Sequence, residues 1–136
     1  MIVVDTNIIG YLYLSSPHSL QVQEAMLKDS QWAAPYLWRS ELRNVLALYL
    51  RQSKLSLDDA QLIMDEALML MRGREYTVAS VSVMNLVAIS TCSAYDCEFV
   101  ALAQDLGVPL VTVDKQILNQ FPDVAISLKT FITSIP

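Results

Sequence analysis

Histidine occurs once, at position 18, cysteine twice, at 92 and 97, and glycine three times in 136 residues. A lone His18 and two cysteines outside any Cys-x-x-Cys spacing exclude the zinc patterns built from those residues. A core of this size needs no disulfide staple, so Cys92 and Cys97 are expected as reduced thiols in a cytoplasmic protein. Glycine and proline together number only eight, which excludes collagen-like, low-complexity and disordered chains. Basic residues are scarce as well, nine against fourteen acidic, giving a net charge of −5. Binding nucleic acid by bulk electrostatics needs a basic surface and is excluded. An enzyme whose acids hold metal ions, which invert the local field, is not. Long apolar runs are also missing. Tyr76 to Tyr95 carries no charge, but Thr77, Ser80, Ser82, Asn85, Ser90, Thr91 and Ser93 interrupt it. It reads as a buried strand followed by a buried helix rather than a membrane span. The N-terminus lacks a basic flank and reaches Asp5 at once, unlike a signal peptide.

What remains is a chain that is 54 % hydrophobic and only 17 % charged. Its length suits one domain, residues 1–136, exposing roughly 7,000 Å². So thin a coat of charge predicts that a partner covers some apolar surface, and a homodimer is expected. Short apolar runs alternate with helical patterns, the mark of a parallel α/β sheet. Strands are predicted at Ile2–Val4, Trp32–Ala34, Glu75–Ala79, Leu110–Val113 and, at an edge, Val124–Leu128. Helices are predicted from Ser16-Pro17 to about Lys28, over Tyr36–Gln52, from the Ser56-Leu-Asp-Asp59 capping box through Met71, and over Val83–Ser90. Two more run from Ser93 to Gly107 and, briefly, after Asp114. The fold class is a three-layer α/β/α sandwich around a mostly parallel sheet of four to five strands.

Two acids sit where strands end: Asp5 follows Ile2-Val3-Val4, and Asp114 follows Leu110-Val-Thr-Val113. Strands of an open parallel sheet point one way and ligands bind beyond their carboxyl ends, so both project at one rim. Glu41 lies in an apolar helix and Asp96 at a helix start without a basic neighbour. Each has a plainer role open to it. Asp114 can cap the following helix, Asp96 can complete a capping box with Ser93, Asp5 can bind turn amides, and Glu41 can pair with Arg39 or Arg43. All four at one rim would gather like charges, which repel by roughly 4 kcal/mol per pair about 4 Å apart. A cation must offset that, and oxygen-only ligands favour Mg²⁺ or Mn²⁺.

The stretches Val-Val-Asp5-Thr6-Asn7, Trp38-Arg-Ser-Glu41-Leu-Arg-Asn44, Ser93-Ala-Tyr-Asp96-Cys-Glu-Phe-Val-Ala-Leu-Ala103 and Leu-Val-Thr112-Val-Asp114 resemble the PIN-domain family, especially the toxin ribonucleases of toxin–antitoxin pairs. The resemblance spans nearly the whole chain, with four motifs in order. It implies divalent-metal-dependent cleavage of RNA phosphodiesters, leaving 5′-phosphate and 3′-hydroxyl ends, and an antitoxin partner. It assigns catalysis and metal binding to Asp5, Glu41, Asp96 and Asp114. Phosphodiester hydrolysis needs an activated water and relief of negative charge, and bound Mg²⁺ supplies both. Asp5 and Asp96 are expected to hold the ion directly, and Glu41 and Asp114 directly or through water.

Thr6 and Thr112 are expected to support the carboxylates. Thr112 lies two residues before Asp114 on the same strand face. Asn44 stands one turn beyond Glu41, either touching the site or facing solvent. Glu98 departs from the family's usual small residue, and its 200° rotation from Asp96 points it to solvent or a partner. Cys97 reads as a packing thiol and His18 as a surface residue. Six basic residues (Arg39, Arg43, Arg51, Lys54, Arg72 and Arg74) either track an RNA backbone or pair with Asp58, Asp59, Asp65 and Glu66. The competing reading of the whole is a catalytically inactive RNA-binding or scaffold protein, which the four intact acids oppose. A receiver or phosphatase-like domain lacks its paired acids here.

Overall fold

The apolar runs form the centre of a parallel sheet. In the computed structural model, which describes residues 1–135, β1 (Ile2–Val4), β2 (Trp32–Pro35), β3 (Glu75–Tyr76), β4 (Leu110–Thr112) and β5 (Ala125–Ser127) run in the order β3-β2-β1-β4-β5. All four pairings are parallel, with Ile2 opposite Trp32 and Val4 opposite Val111. β1, β2 and β4 are buried at every position, as strands covered by helices on both faces must be. The chain therefore folds as the expected α/β/α sandwich.

Eight helices flank the sheet among the described residues: α1 (Thr6–Tyr13), α2 (Ser19–Lys28), α3 (Leu37–Arg51), α4 (Leu57–Met71), α5 (Ser80–Ala88), α6 (Ala94–Leu106), α7 (Lys115–Gln120) and α8 (Leu128–Thr133). α6 packs across β1, β2 and β4, while α1 packs against α2 and α3. α4 and α6 start where the sequence placed them. Ser56 Oγ accepts the Asp59 amide at 3.1 Å, and Ser93 Oγ accepts the Asp96 amide at 3.0 Å. α6 ends at Gly107, whose φ of 65° is the left-handed geometry of a helix stop.

Several expectations need correction. Pro17 does not open a helix. The Ser16 hydroxyl accepts the His18 amide and the Ser16 amide donates to Ser19 Oγ, closing a turn that delays α2 to Ser19. β3 keeps only two residues because it is an edge strand, paired to β2 alone. α5 is not a buried helix: of its residues only Val83 and Leu86 are buried, leaving Val81 and Met84, and Ile89 just past its end, exposed. The end of the predicted fifth strand, Leu128, instead begins α8. α1 and α8 have no counterpart in the sequence reading. No helix of the described residues is long and apolar enough to cross a membrane.

Candidate active site

The strand order reverses at β1, which is flanked by β2 on one side and β4 on the other, and ligand sites of open α/β sheets lie beyond the strand ends at such a point. Here that edge holds a cleft of about 210 Å³. Asp5, Glu41, Asp96 and Asp114 all line it, together with Thr6, Asn7 and Asn44, and Val45, Phe99 and Ile117 supply its apolar wall. No lysine or arginine lines it. Residues as far apart as 5 and 114 are thus brought to one place.

Helix starts do the positioning. Asp5 caps α1, accepting the Ile8 amide at 3.2 Å. Asp114 caps α7, its Oδ1 accepting the amides of Gln116 and Ile117 at 2.8 and 3.1 Å. Asp96 sits in the first turn of α6. The capping roles considered for these acids are therefore real, and they are what aims the carboxylates at the cleft. The positive helix ends favour carboxylates there, offsetting part of their mutual repulsion. Glu41 pairs with neither Arg39 nor Arg43: its Oε1 accepts the Thr6 hydroxyl at 2.7 Å.

Thr112 links the two strand ends, since its buried hydroxyl donates to Asp5 Oδ2 and accepts the Asp114 amide at 3.0 Å. Both oxygens of Asp5 are held, whereas Glu41 Oε2 and Asp114 Oδ2 accept no hydrogen bond from the described residues. Burial raises the Asp5 carboxyl to about 6, against hydrogen bonds that lower it, with Asp114 and Glu41 adding repulsion. Glu41 is raised by burial and then by Asp96, and Asp96 by burial and then by Asp114. These carboxylates sense one another across the cleft.

The residues fit a hard divalent cation by donor type, being oxygen-only with spare lone pairs and no competing ammonium or guanidinium. No three of the described acids converge closely enough to chelate one ion as the side chains stand. That suits Mg²⁺ or Mn²⁺ held by one or two carboxylates with water completing the shell.

Of the other residues singled out, Asn44 is exposed yet lines the cleft. Glu98 is half-buried rather than solvated. It lines a separate hollow beside Val78, Val83 and Met84, and burial, then Glu41, raises its carboxyl. Cys97 is fully buried, and His18 is half-buried against Tyr11, their ring centres 5.0 Å apart. Among the described residues the basic side chains form no ion pair with Asp58, Asp59, Asp65 or Glu66 of α4. Arg39 grips Glu75 through two nitrogens at 2.5 and 2.6 Å, and Arg74 donates to the carbonyls of Trp32 and Leu70. The sequence reading missed Asn7 as a lining residue, although its place two residues after Asp5 at a strand end was a usable signal.

Fold and site together define a parallel α/β domain with an acidic, oxygen-lined cleft at the carboxyl edge of its sheet. The PIN domain family profile matches residues 2–125, and the chain belongs to that family. Among curated proteins it is 27 % identical over 124 residues to Ribonuclease VapC3 of Pyrobaculum aerophilum, covering 89 % of this chain and 95 % of that one. A crystal structure from Pyrobaculum aerophilum superposes with a TM-score of 0.76 at 18 % identity, covering 96 % of this chain and 92 % of the other. FitAcB from Neisseria gonorrhoeae gives 0.71 at 20 %, covering 93 % and 96 %. A toxin-antitoxin complex from Klebsiella pneumoniae gives 0.70 at 15 %, covering 94 % and 98 %.

Proposed function

We propose that this chain is a Mg²⁺- or Mn²⁺-dependent endoribonuclease, the toxin of a toxin–antitoxin pair, acting in the cytoplasm. The observation that carries the reading is the gathering of Asp5, Glu41, Asp96 and Asp114 around one cleft that no basic side chain lines. The similarity to a ribonuclease over nearly the full chain supports RNA as substrate, and structural neighbours that include a toxin-antitoxin complex support an antitoxin partner.

A bound divalent ion would supply an activated water and offset charge on the phosphate. Asp5, fixed at both oxygens, and Asp96 would hold it. Glu41 and Asp114 each present one free oxygen, to hold the ion or to accept a proton from the attacking water. Thr112 keeps Asp5 and the Asp114 backbone in register, and Thr6 orients Glu41. Self-association through the outer face of α5 is part of this proposal, because that helix carries no charged residue and exposes Val81 and Met84, with Ile89 exposed just past its end.

The test is cleavage of a mixed RNA pool with Mg²⁺ or Mn²⁺. Wild type should cut, EDTA should stop it, and Asp5→Ala and Asp96→Ala should each lower the rate beyond the roughly 10–100-fold that loss of an outer partner of a metal site costs. Cutting that survives EDTA and both substitutions would overturn the proposal. So would an absence of both cleavage and Mn²⁺ binding by calorimetry.

A further inference from the structure

Beside the acidic cleft, and sharing Glu41 and Asn44 with it, lies a second groove lined by Leu37, Ser40 and Tyr95. Tyr95 is 63 % exposed, and its hydroxyl makes no hydrogen bond among the described residues. An exposed tyrosine alone means little. This one adjoins Asp96 in the chain, so the groove opens within one residue of a carboxylate that faces the cleft. The remaining lining is a leucine, a hydroxyl and an amide, with Glu41 as its one charge. At its edge the Arg43 guanidinium donates to Ser40 Oγ at 3.2 Å and has no carboxylate partner among the described residues.

An aromatic face, a hydroxyl and amide able to meet base edges, and a guanidinium one turn away are what a single-stranded nucleotide requires. Bases stack on tyrosine whatever their sequence, hydrogen-bonding groups discriminate among them, and arginine takes the phosphate. We propose that this groove is a nucleotide subsite. Tyr95 stacks on the base next to the scissile phosphate, Ser40 and Asn44 contact its edge, and Arg43 holds the flanking phosphate. This rests on the ribonuclease reading and gives it a specificity determinant. Phosphate approaches a cleft of net negative charge, so a neutral stacking platform and one peripheral cation supply attraction that the cleft cannot.

The experiment compares wild type, Tyr95→Ala and Tyr95→Trp on a random single-stranded RNA pool with Mn²⁺, with cut ends mapped by sequencing. Stacking predicts that Tyr95→Ala raises KM by roughly tenfold or more; because the unseated base then no longer meets Ser40 and Asn44, the base preference at one position beside the cut flattens as well, and Tyr95→Trp restores both. Unchanged KM and an unchanged cut map in Tyr95→Ala would overturn the subsite while leaving the nuclease standing. If wild type cuts nothing, binding of the same pool is measured by fluorescence anisotropy. Binding weakened about tenfold by Tyr95→Ala then supports the subsite in a protein that is not a nuclease. Binding that is absent or indifferent to Tyr95→Ala refutes it.

Discussion

Asp5 is the one buried carboxylate among the described residues, and its two oxygens are both occupied, by the Ile8 amide and the Thr112 hydroxyl. Burial nevertheless outweighs those donors and lifts it to about 6 from an ordinary 3.8. The folded protein therefore holds this proton more tightly than the unfolded chain does. The resulting stabilisation is full below about 3.8 and is lost as the pH rises through about 6. At pH 7.5 in EDTA the ionised carboxylate costs on the order of 3 kcal/mol. Asp5→Asn should then raise the melting temperature by several degrees at pH 7.5 and by little at pH 4, while abolishing cleavage. The amide keeps the Ile8 bond but must turn the Thr112 hydroxyl around, so part of the gain is lost. Equal melting shifts at both pH values, read by calorimetry, would show that folding does not raise this carboxyl. That Asp5 belonged at a strand end was legible from Ile2-Val3-Val4. The two-residue spacing to Asp114 offered Thr112 as a support for the site, but its bond to Asp5 depends on the pairing of β1 with β4, which no local pattern shows. Tyr95 was not legible either, because nothing in Ser93-Ala-Tyr-Asp96 separates an exposed ring from a buried one.

Helices were legible where a cap preceded a long pattern, as at Ser56 and Ser93, or where an apolar stripe sufficed, as over Tyr36–Gln52, and obscure where they are short, as in α1 and α8. In Thr6–Tyr13 the run Ile8-Ile9-Gly10 looks as much like strand or turn as helix, and the Asp5 cap together with packing on α2 and α3 decides the matter. At the other end, β-branched residues made Val124–Leu128 read as one strand, yet the Ser127 hydroxyl accepts the Thr130 amide at 3.1 Å and starts α8. Gly107 shows what a helix end is worth. A methyl group placed there meets nothing within 4 Å, so any penalty for Gly107→Ala comes from its left-handed backbone alone. That penalty is about 1 kcal/mol or slightly more, which lowers the melting temperature by a few degrees. Since α6 carries Asp96 at its opposite end, kcat should stay within twofold of wild type, roughly, when destabilisation is this small. A loss of activity without a melting shift would mean that α6 moves as the site works.

At the scale of the molecule, the charge-poor composition finds its place on the surface. α5 turns Val81 and Met84 outward with Ile89 just past its end, and α4 exposes Leu57, Leu62 and Met69. Light scattering at micromolar concentration should return twice the 15.2 kDa of the chain. Met84→Lys, at a mostly exposed position, should return it to one; a mass of one chain for the wild type would refute the association. The strand order has a consequence of another kind. β1 is synthesised first, yet it lies at the centre of the sheet and waits for β4, which begins at Leu110. The hydrogen bond that fixes Asp5 comes from Thr112, 107 residues downstream. Contacts so distant close late and slowly. A ribosome must therefore release the chain through Asp114 and Ile117 before the cleft can exist, and a nascent fragment cut short of β4 has no such site to offer.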